Sequence, residues 1–314
     1  LQNLIVIAGL VVPVFLIVAL GYLLKKLGMI TDDFVKLSSR IVFTVSLPAL
    51  IFTEISKTDF TQILNLKLIG FAYLGTLVTF SFVWLISIPL VRTATDRTVF
   101  IQGSFRGNMA IIGLALIANV YGINSLGQAS LLLAFTIPVY NTLSVIALTV
   151  PLRKERHMNI GHTAFEIIKN PLVLAVIFSI PFSYFKIELP GVAEKTINYL
   201  AVLALPLALL GIGGFMNFSE LKKGFSLSVL SSVMKLILFP LAMTYAAYLL
   251  NFRGYDLGIL FILFACPTAI ASFIMAEAMG SNSKLAANIL LITTLASLIT
   301  ITIGLFILKE NNLI

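Results

Sequence analysis

The sequence predicts an all-α membrane protein: ten transmembrane helices as two inverted five-helix repeats, with helices four and nine broken and crossing. Three observations predict it. First, 59% of the 314 residues are hydrophobic and only 11% are charged, with a mean hydropathy of +1.06. A soluble chain carries about 25% charged residues, and no soluble fold of this size can hide so much apolar surface. Second, ten segments reach the roughly 20 mostly apolar residues that a bilayer span requires. Third, punctuation recurs at a constant offset of 158 positions: Pro13 returns as Pro171, Leu47-Pro48 as Leu205-Pro206, Ala118 as Ala276, and Gly122, Asn124 and Ser125 as Gly280, Asn282 and Ser283.

The spans run over 4–24, 34–55, 66–91, 99–120 and 127–150, then 164–185, 192–218, 225–250, 257–279 and 284–308. Residues 1–150 form the first repeat and 164–314 the second. The polar linker between them, 151–163, carries Arg153, Lys154, Arg156, His157 and His162. An odd number of spans per repeat forces the two copies into opposite orientations, the plan of many secondary transporters. Alternating loops place 13 of the 21 lysines and arginines on one side and 6 on the other. The richer side, which includes the linker, is expected to be cytoplasmic, with both termini outside and the protein in the cytoplasmic (inner) membrane. The first apolar segment reads as a span rather than a signal peptide.

Several function classes lose support from composition. A single cysteine, Cys266, excludes an internal disulfide, and the two histidines share one loop, so no metal site or cofactor is expected. The net charge of +8 lies in loops between apolar segments, as topogenic charge does, and no basic domain supports nucleic-acid binding. No P-loop appears, and no paired nucleophile and base lie within the spans, so no enzyme is expected. A membrane sensor or anchor would normally carry a soluble signalling domain.

The candidate site lies where spans four and nine are interrupted. Span four reads Ile101-Gln102-Gly103-Ser104-Phe105-Arg106-Gly107-Asn108-Met109-Ala110, and the repeat offset sets Met109 against Pro267 of Cys266-Pro267-Thr268. Pro267 removes a backbone donor, and Gly103 and Gly107 weaken the other helix. Two breaks meeting near the midplane would aim two helix N-terminal ends at one point, which suits an anion. Asn108 can cap one end or bind substrate, and Thr268 can do the same at the other. The plainer readings are close helix packing for the Gly103/Gly107 pair and a simple kink at Pro267.

Charged and polar residues within spans carry the rest. Arg106 near a bilayer centre costs about 2.5–3.5 kcal/mol or more, so it needs a cavity or a partner. It either grips a substrate carboxylate with two hydrogen bonds or pairs with carbonyls freed by the break. Lys235 in span eight could titrate with transported protons, act as a fixed charge in place of a bound cation, or snorkel to an interface. Asn141 in span five lines the site or bonds between helices. Glu277 in span nine is a coupling carboxylate or an end-of-helix residue, and Glu54 is more simply the latter. All five aspartates are assigned to loops, which leaves the midplane without the carboxylates a cation antiporter needs.

These residues resemble the auxin efflux carrier family of bacteria and plants, within the bile acid/auxin permease-like superfamily. The resemblance rests on Arg106-Gly107-Asn108-Met109-Ala110-Ile111-Ile112-Gly113 with Ala118-Asn119-Val120-Tyr121-Gly122, on Pro138-Val139-Tyr140-Asn141, and on Pro267-Thr268-Ala269. Their order covers the whole chain. The resemblance implies a fold like that of sodium/proton antiporters and bile-acid symporters. Spans one, two, six and seven would form a dimeric scaffold, and spans three to five and eight to ten a moving transport unit. It also implies carboxylate substrates such as malate or malonate, or auxin in plant members, with H+ or Na+ as coupling ion. Asn108 matches the family's asparagine at the span-four crossing. The first crossing lacks the plant proteins' proline and the chain lacks their long central loop, so the bacterial type fits best. The alternatives on the same fold are a cation/proton antiporter and a sodium-coupled bile-acid-type symporter.

Overall fold

The computed structural model describes residues 2–57, 64–152, 171–216 and 225–314. No strand occurs among them; one isolated antiparallel bridge joins Gly107 and Thr268. Arg153 to Asn170, including both histidines and the linker cations, lies outside the described residues, as do Asp59 and the side chain of Glu277.

The helices are α1 (Gln2–Lys26), α2 (Asp32–Ser56), α3 (Leu66–Leu90), α4 (Ala94–Phe105), α5 (Met109–Tyr121) and α6 (Leu126–Thr149). They continue as α7 (Pro171–Phe185), α8 (Gly191–Phe215), α9 (Phe225–Leu249), α10 (Gly254–Ala265), α11 (Ile270–Ala278) and α12 (Ser283–Glu310). Among the described residues, seven helical stretches are long and apolar enough to cross a membrane, and Met109–Tyr121, Leu174–Phe185 and Gly254–Ala265 are shorter apolar helices. Large apolar side chains such as Leu16, Leu85 and Phe178 stay exposed around the outside. Lipid tails, not water, are the solvent that tolerates such a surface.

Local chemistry sets the helix ends. Thr31 caps α2, accepting from the Phe34 amide at 3.2 Å, Asn65 caps α3 at 3.0 Å, and Asn282 caps α12 at 3.1 Å; each satisfies an orphan donor. Gly122, at φ +88°, ends α5 in a conformation few other residues adopt. In α2 and α9 a π-turn (Val42–Ser46, Met234–Leu238) precedes Pro48 and Pro240. Each proline lacks the amide a regular turn would use, and the wider turn absorbs the missing bond.

Two sequence expectations need correction. Asp32, Asp33, Asp96 and Asp256 are not loop residues; they occupy the first turns of α2, α4 and α10, where the helix dipole favours a carboxylate. Asp96 accepts from Asn282 at 2.7 Å, and Asp256 accepts from Asn65 and Gln128 at 2.8 Å each. Polar side chains therefore hold these anions and extend α4 and α10 beyond the apolar run. Gly103, expected to weaken α4, stays helical; the helix ends two residues later, at Phe105. Gly103 serves close packing instead, since a Cβ there would lie 2.9 Å from Ile289 Cγ2 of α12.

Helix α1 lies along the second half of α8, and α7 and the first half of α8 pack on α2. A Cβ at Gly213 would sit 1.9 Å from the Val18 carbonyl oxygen, and one at Gly21 would sit 2.2 Å from that of Leu210. The backbones of α1 and α8 thus touch, as small residues permit in membranes. On the other side, α3 packs on α4 and α6, while α9 packs on α10 and α12. Helix α12 also meets α4 and α11, which brings both interrupted helices together.

Candidate anion site at the helix crossing

Helix α4 stops where Arg106 turns extended (φ −85°, ψ 109°), and α10 stops where Cys266 does (φ −53°, ψ 138°). Cys266 precedes Pro267, whose ring disfavours helical backbone at the residue before it. Nothing comparable forces the first break, which lacks proline; there the partner segment supplies the bonds. The Asn108 amide donates to the Pro267 carbonyl at 2.7 Å, and the Ala269 amide donates to the Arg106 carbonyl at 3.2 Å. Polar backbone freed in a membrane interior must find partners within the protein, and each break supplies them to the other.

The approach is close. A Cβ at Gly107 would lie 3.1 Å from both the Leu263 carbonyl oxygen and Lys235 Nζ. The two incoming half-helices expose terminal carbonyls, and each receives a side-chain donor. Thr268 Oγ1 donates to the Gly103 carbonyl of α4 at 2.7 Å, and Lys235 Nζ donates to the Phe264 carbonyl of α10 at 2.9 Å. Lys235 is 1% exposed. It does not snorkel: its charge sits at the negative C-terminal end of α10. The Thr268 amide in turn donates to Thr293 Oγ1 of α12 at 3.2 Å.

Arg106 points away from these contacts, toward α6 and α11. Its Nη2 donates to Asn141 Oδ1 at 2.9 Å, and its Nη1 donates to Ser144 Oγ at 3.1 Å and to Met275 Sδ at 3.0 Å. It does not pair with freed carbonyls, and it forms no ion pair with an acidic side chain among the described residues. Arg106 is nevertheless 9% exposed. A buried guanidinium with neutral acceptors alone keeps an uncompensated positive charge. Asn108, 5% exposed, leaves its Nδ2 donor without a partner among the described residues. That donor stands at the start of α5, where backbone amides already favour an anion.

The structure therefore joins Arg106 to Asn141, with Asn108 two residues along the chain and its backbone held, like Thr268 and Pro267, in the clasp at the crossing. The hydroxyl of Thr268 and the carbonyl of Pro267 are both engaged in that clasp. Ser144, Met275 and Gln102 were missed by sequence reasoning. Ser144 was accessible in principle, because it lies three residues beyond Asn141 and shares its helix face. Met275 was not, because its approach to Arg106 depends on how two distant half-helices cross. A separate apolar cavity is lined by Phe215, Met216, Phe273, Ala287, Leu290 and Leu291; none of the polar site residues borders it.

A profile described as membrane transport protein matches residues 6–305. The chain belongs to this family, that of the auxin efflux carriers. It is similar to an uncharacterized transporter of Methanothermobacter thermautotrophicus, 24% identical over 93% of this chain and 95% of that one. It is also similar to a candidate malonate transporter of Rhizobium meliloti, 26% identical over 98% of this chain and 97% of that one. Auxin efflux carrier component 5 of Arabidopsis thaliana is 32% identical over 35% of this chain and 33% of its own. This protein is a multi-span membrane transporter, not an enzyme.

Proposed function

We propose that the protein is a secondary active transporter of small organic anions across the cytoplasmic membrane. The observation that carries this reading is Arg106, a buried cation held, among the described residues, by neutral acceptors. Two residues along the chain, at the amino-terminal end of α5, Asn108 has a buried Nδ2 without a partner among the described residues. A carboxylate offers what all three lack: negative charge and paired acceptors in guanidinium-matching geometry. Asn141 orients Arg106, and Pro267 and Thr268 hold the crossing in shape. The malonate relative favours a short dicarboxylate, and the plant relatives favour a carboxylate on a larger apolar body.

In this reading ten spans form two inverted repeats, residues 1–150 and 164–314, with both termini outside. Spans one, two, six and seven make a scaffold that dimerises, and the other six carry the site past it as an elevator. The close packing of α1 on the second half of α8, and of α7 and the first half of α8 on α2, supports the scaffold; it meets the other helices where α1 packs on α12 and α2 on α6. Lys235 serves as a fixed charge at the end of α10, where a bound cation would otherwise be needed, and Glu277 remains the candidate carboxylate for proton or sodium coupling.

The test is thermal unfolding of purified protein with malonate, malate and an aryl acetate, with and without sodium, at two pH values. A ligand that binds only the folded state at 100 times its Kd adds about 2.7 kcal/mol of stability. Carboxylate-induced stabilisation that disappears in Arg106→Ala is the expected result. Stabilisation by sodium or pH alone would instead indicate a cation antiporter.

A further inference from the structure

The guanidinium of Arg106 has three acceptors among the described residues, and one of them is poor. Asn141 Oδ1 and Ser144 Oγ are ordinary oxygen acceptors, at 2.9 and 3.1 Å. The third is the thioether sulfur of Met275, at 3.0 Å from Nη1. A thioether is a weak acceptor, a poor match for a charged donor. The sulfur also receives a second donor, Gln102 Nε2 of α4, at 3.7 Å. Gln102 is fully buried, and its Oε1 has no partner among the described residues. Two buried polar side chains, Gln102 in α4 and Arg106 just past its end, thus converge on a single weakly accepting atom of α11. Burying such donors against a weak acceptor is costly, so the arrangement is a ground state that a better acceptor would replace.

We propose that Met275 is a displaceable stand-in for substrate: its sulfur occupies the position of one carboxylate oxygen, and the anion enters by pushing the thioether aside. This rests on the anion-site reading above and adds a residue that no sequence feature marked. The chemistry of the side chain suits the role. Methionine is unbranched and has three rotatable bonds, so it leaves without moving its helix. Met275 is also half-buried, while Arg106 and Gln102 are buried, so it forms the movable side of the site. When it leaves, Arg106 Nη1 and Gln102 Nε2 are freed together. One carboxylate oxygen can then accept from both donors, and a charge-assisted bond replaces a weak one. Met275 is accordingly a positioning residue that sets the threshold for anion entry.

Three variants separate this role from simple packing. Met275→Leu keeps the volume but removes the competing acceptor. The carboxylate concentration giving half-maximal thermal stabilisation is expected to fall about two- to tenfold, the size of a lost sulfur contact. Met275→Glu ties a carboxylate beside Arg106, so added carboxylate should no longer stabilise. Met275→Gln, the neutral control, should still respond. A direct reading comes from [13C-methyl]methionine labelling of the wild-type protein, with the Met275 signal assigned by its loss in Met275→Leu. Malonate should shift that resonance in the wild type but not in Arg106→Ala. If the wild type responds to carboxylates through Arg106 while Met275→Glu responds equally and the methyl signal stays put, the stand-in role is wrong and the anion site stands. If the wild type responds to no carboxylate, both fall together.

Discussion

Lys235 of α9 donates from its ammonium to the Phe264 carbonyl in the last turn of α10, at 2.9 Å, with the side chain 1% exposed. Two terms oppose each other there. The charge-assisted bond contributes about 1.5–3 kcal/mol, and desolvating an ammonium costs several kcal/mol. Desolvation wins, so the lysine is not retained for stability. Lys235→Met is expected to leave the unfolding temperature within a few degrees of the wild type. Lys235→Ala, which also opens a cavity, should be about 2–4 kcal/mol less stable than the methionine variant. Thermal unfolding in detergent compares the two, and a large loss in Lys235→Met would mean that the charge itself holds the crossing together.

The clasp at Thr268 has the opposite balance. Its hydroxyl satisfies the Gly103 carbonyl at 2.7 Å, with Thr268 only 2% exposed. Thr268→Val keeps the shape and removes the donor, leaving a buried carbonyl without it, at a cost of about 1–3 kcal/mol. Thr268→Ser keeps the donor and should recover most of that loss in the same unfolding measurement.

The contact between α1 and α8 gives a coupled pair. Gly213→Ala drives a methyl into the Val18 carbonyl oxygen and Gly21→Ala drives one into that of Leu210, so the helices must separate. Each should cost about 1–3 kcal/mol through overpacking. One separation relieves both clashes, so the double variant should lose less than the sum of the singles in a double-mutant cycle. At Gly9 a Cβ meets nothing within 4 Å. Gly9→Ala is therefore the control, neutral or slightly stabilising because alanine is the better helix former.

Asn108 and Asn141 divide stability from binding. The Nδ2 of Asn108 is buried without a partner among the described residues, so Asn108→Ala removes an unsatisfied donor. Unfolding temperature without ligand should change little, while carboxylate-induced stabilisation should fall by about tenfold or more in apparent affinity, as for a lost bond to a charged group. Asn141→Asp places a carboxylate where an amide oxygen now lies 2.9 Å from Arg106 Nη2. It should raise stability without ligand and abolish the carboxylate response. Dye-monitored unfolding across a malonate titration checks both variants.

Much of this architecture is legible along the chain because its causes are local. Hydropathy over about 20 residues marks a span wherever the rest of the protein lies. Pro267 breaks α10 through its own ring, and Arg106 is conspicuous because charge in an apolar run is expensive. Helices α4 and α10 begin ahead of the apolar runs at 99 and 257 because their first turns carry Asp96 and Asp256, which hydropathy alone assigns to loops although the helix dipole welcomes them.

By itself, then, the sequence determined an all-helical membrane protein with polar interruptions at Arg106 and at Pro267. Tertiary structure alone decided where each freed polar group finds its partner. Lys235 goes to Phe264, Thr268 goes to Gly103, and Arg106 reaches Asn141, Ser144 and Met275. It also decided that Gly103 packs rather than breaks its helix. The physical reason is one of range. Burial preference and backbone chemistry act within a few residues, whereas a hydrogen bond forms only between atoms brought within about 3 Å, and the crossing of two distant half-helices sets which atoms those are.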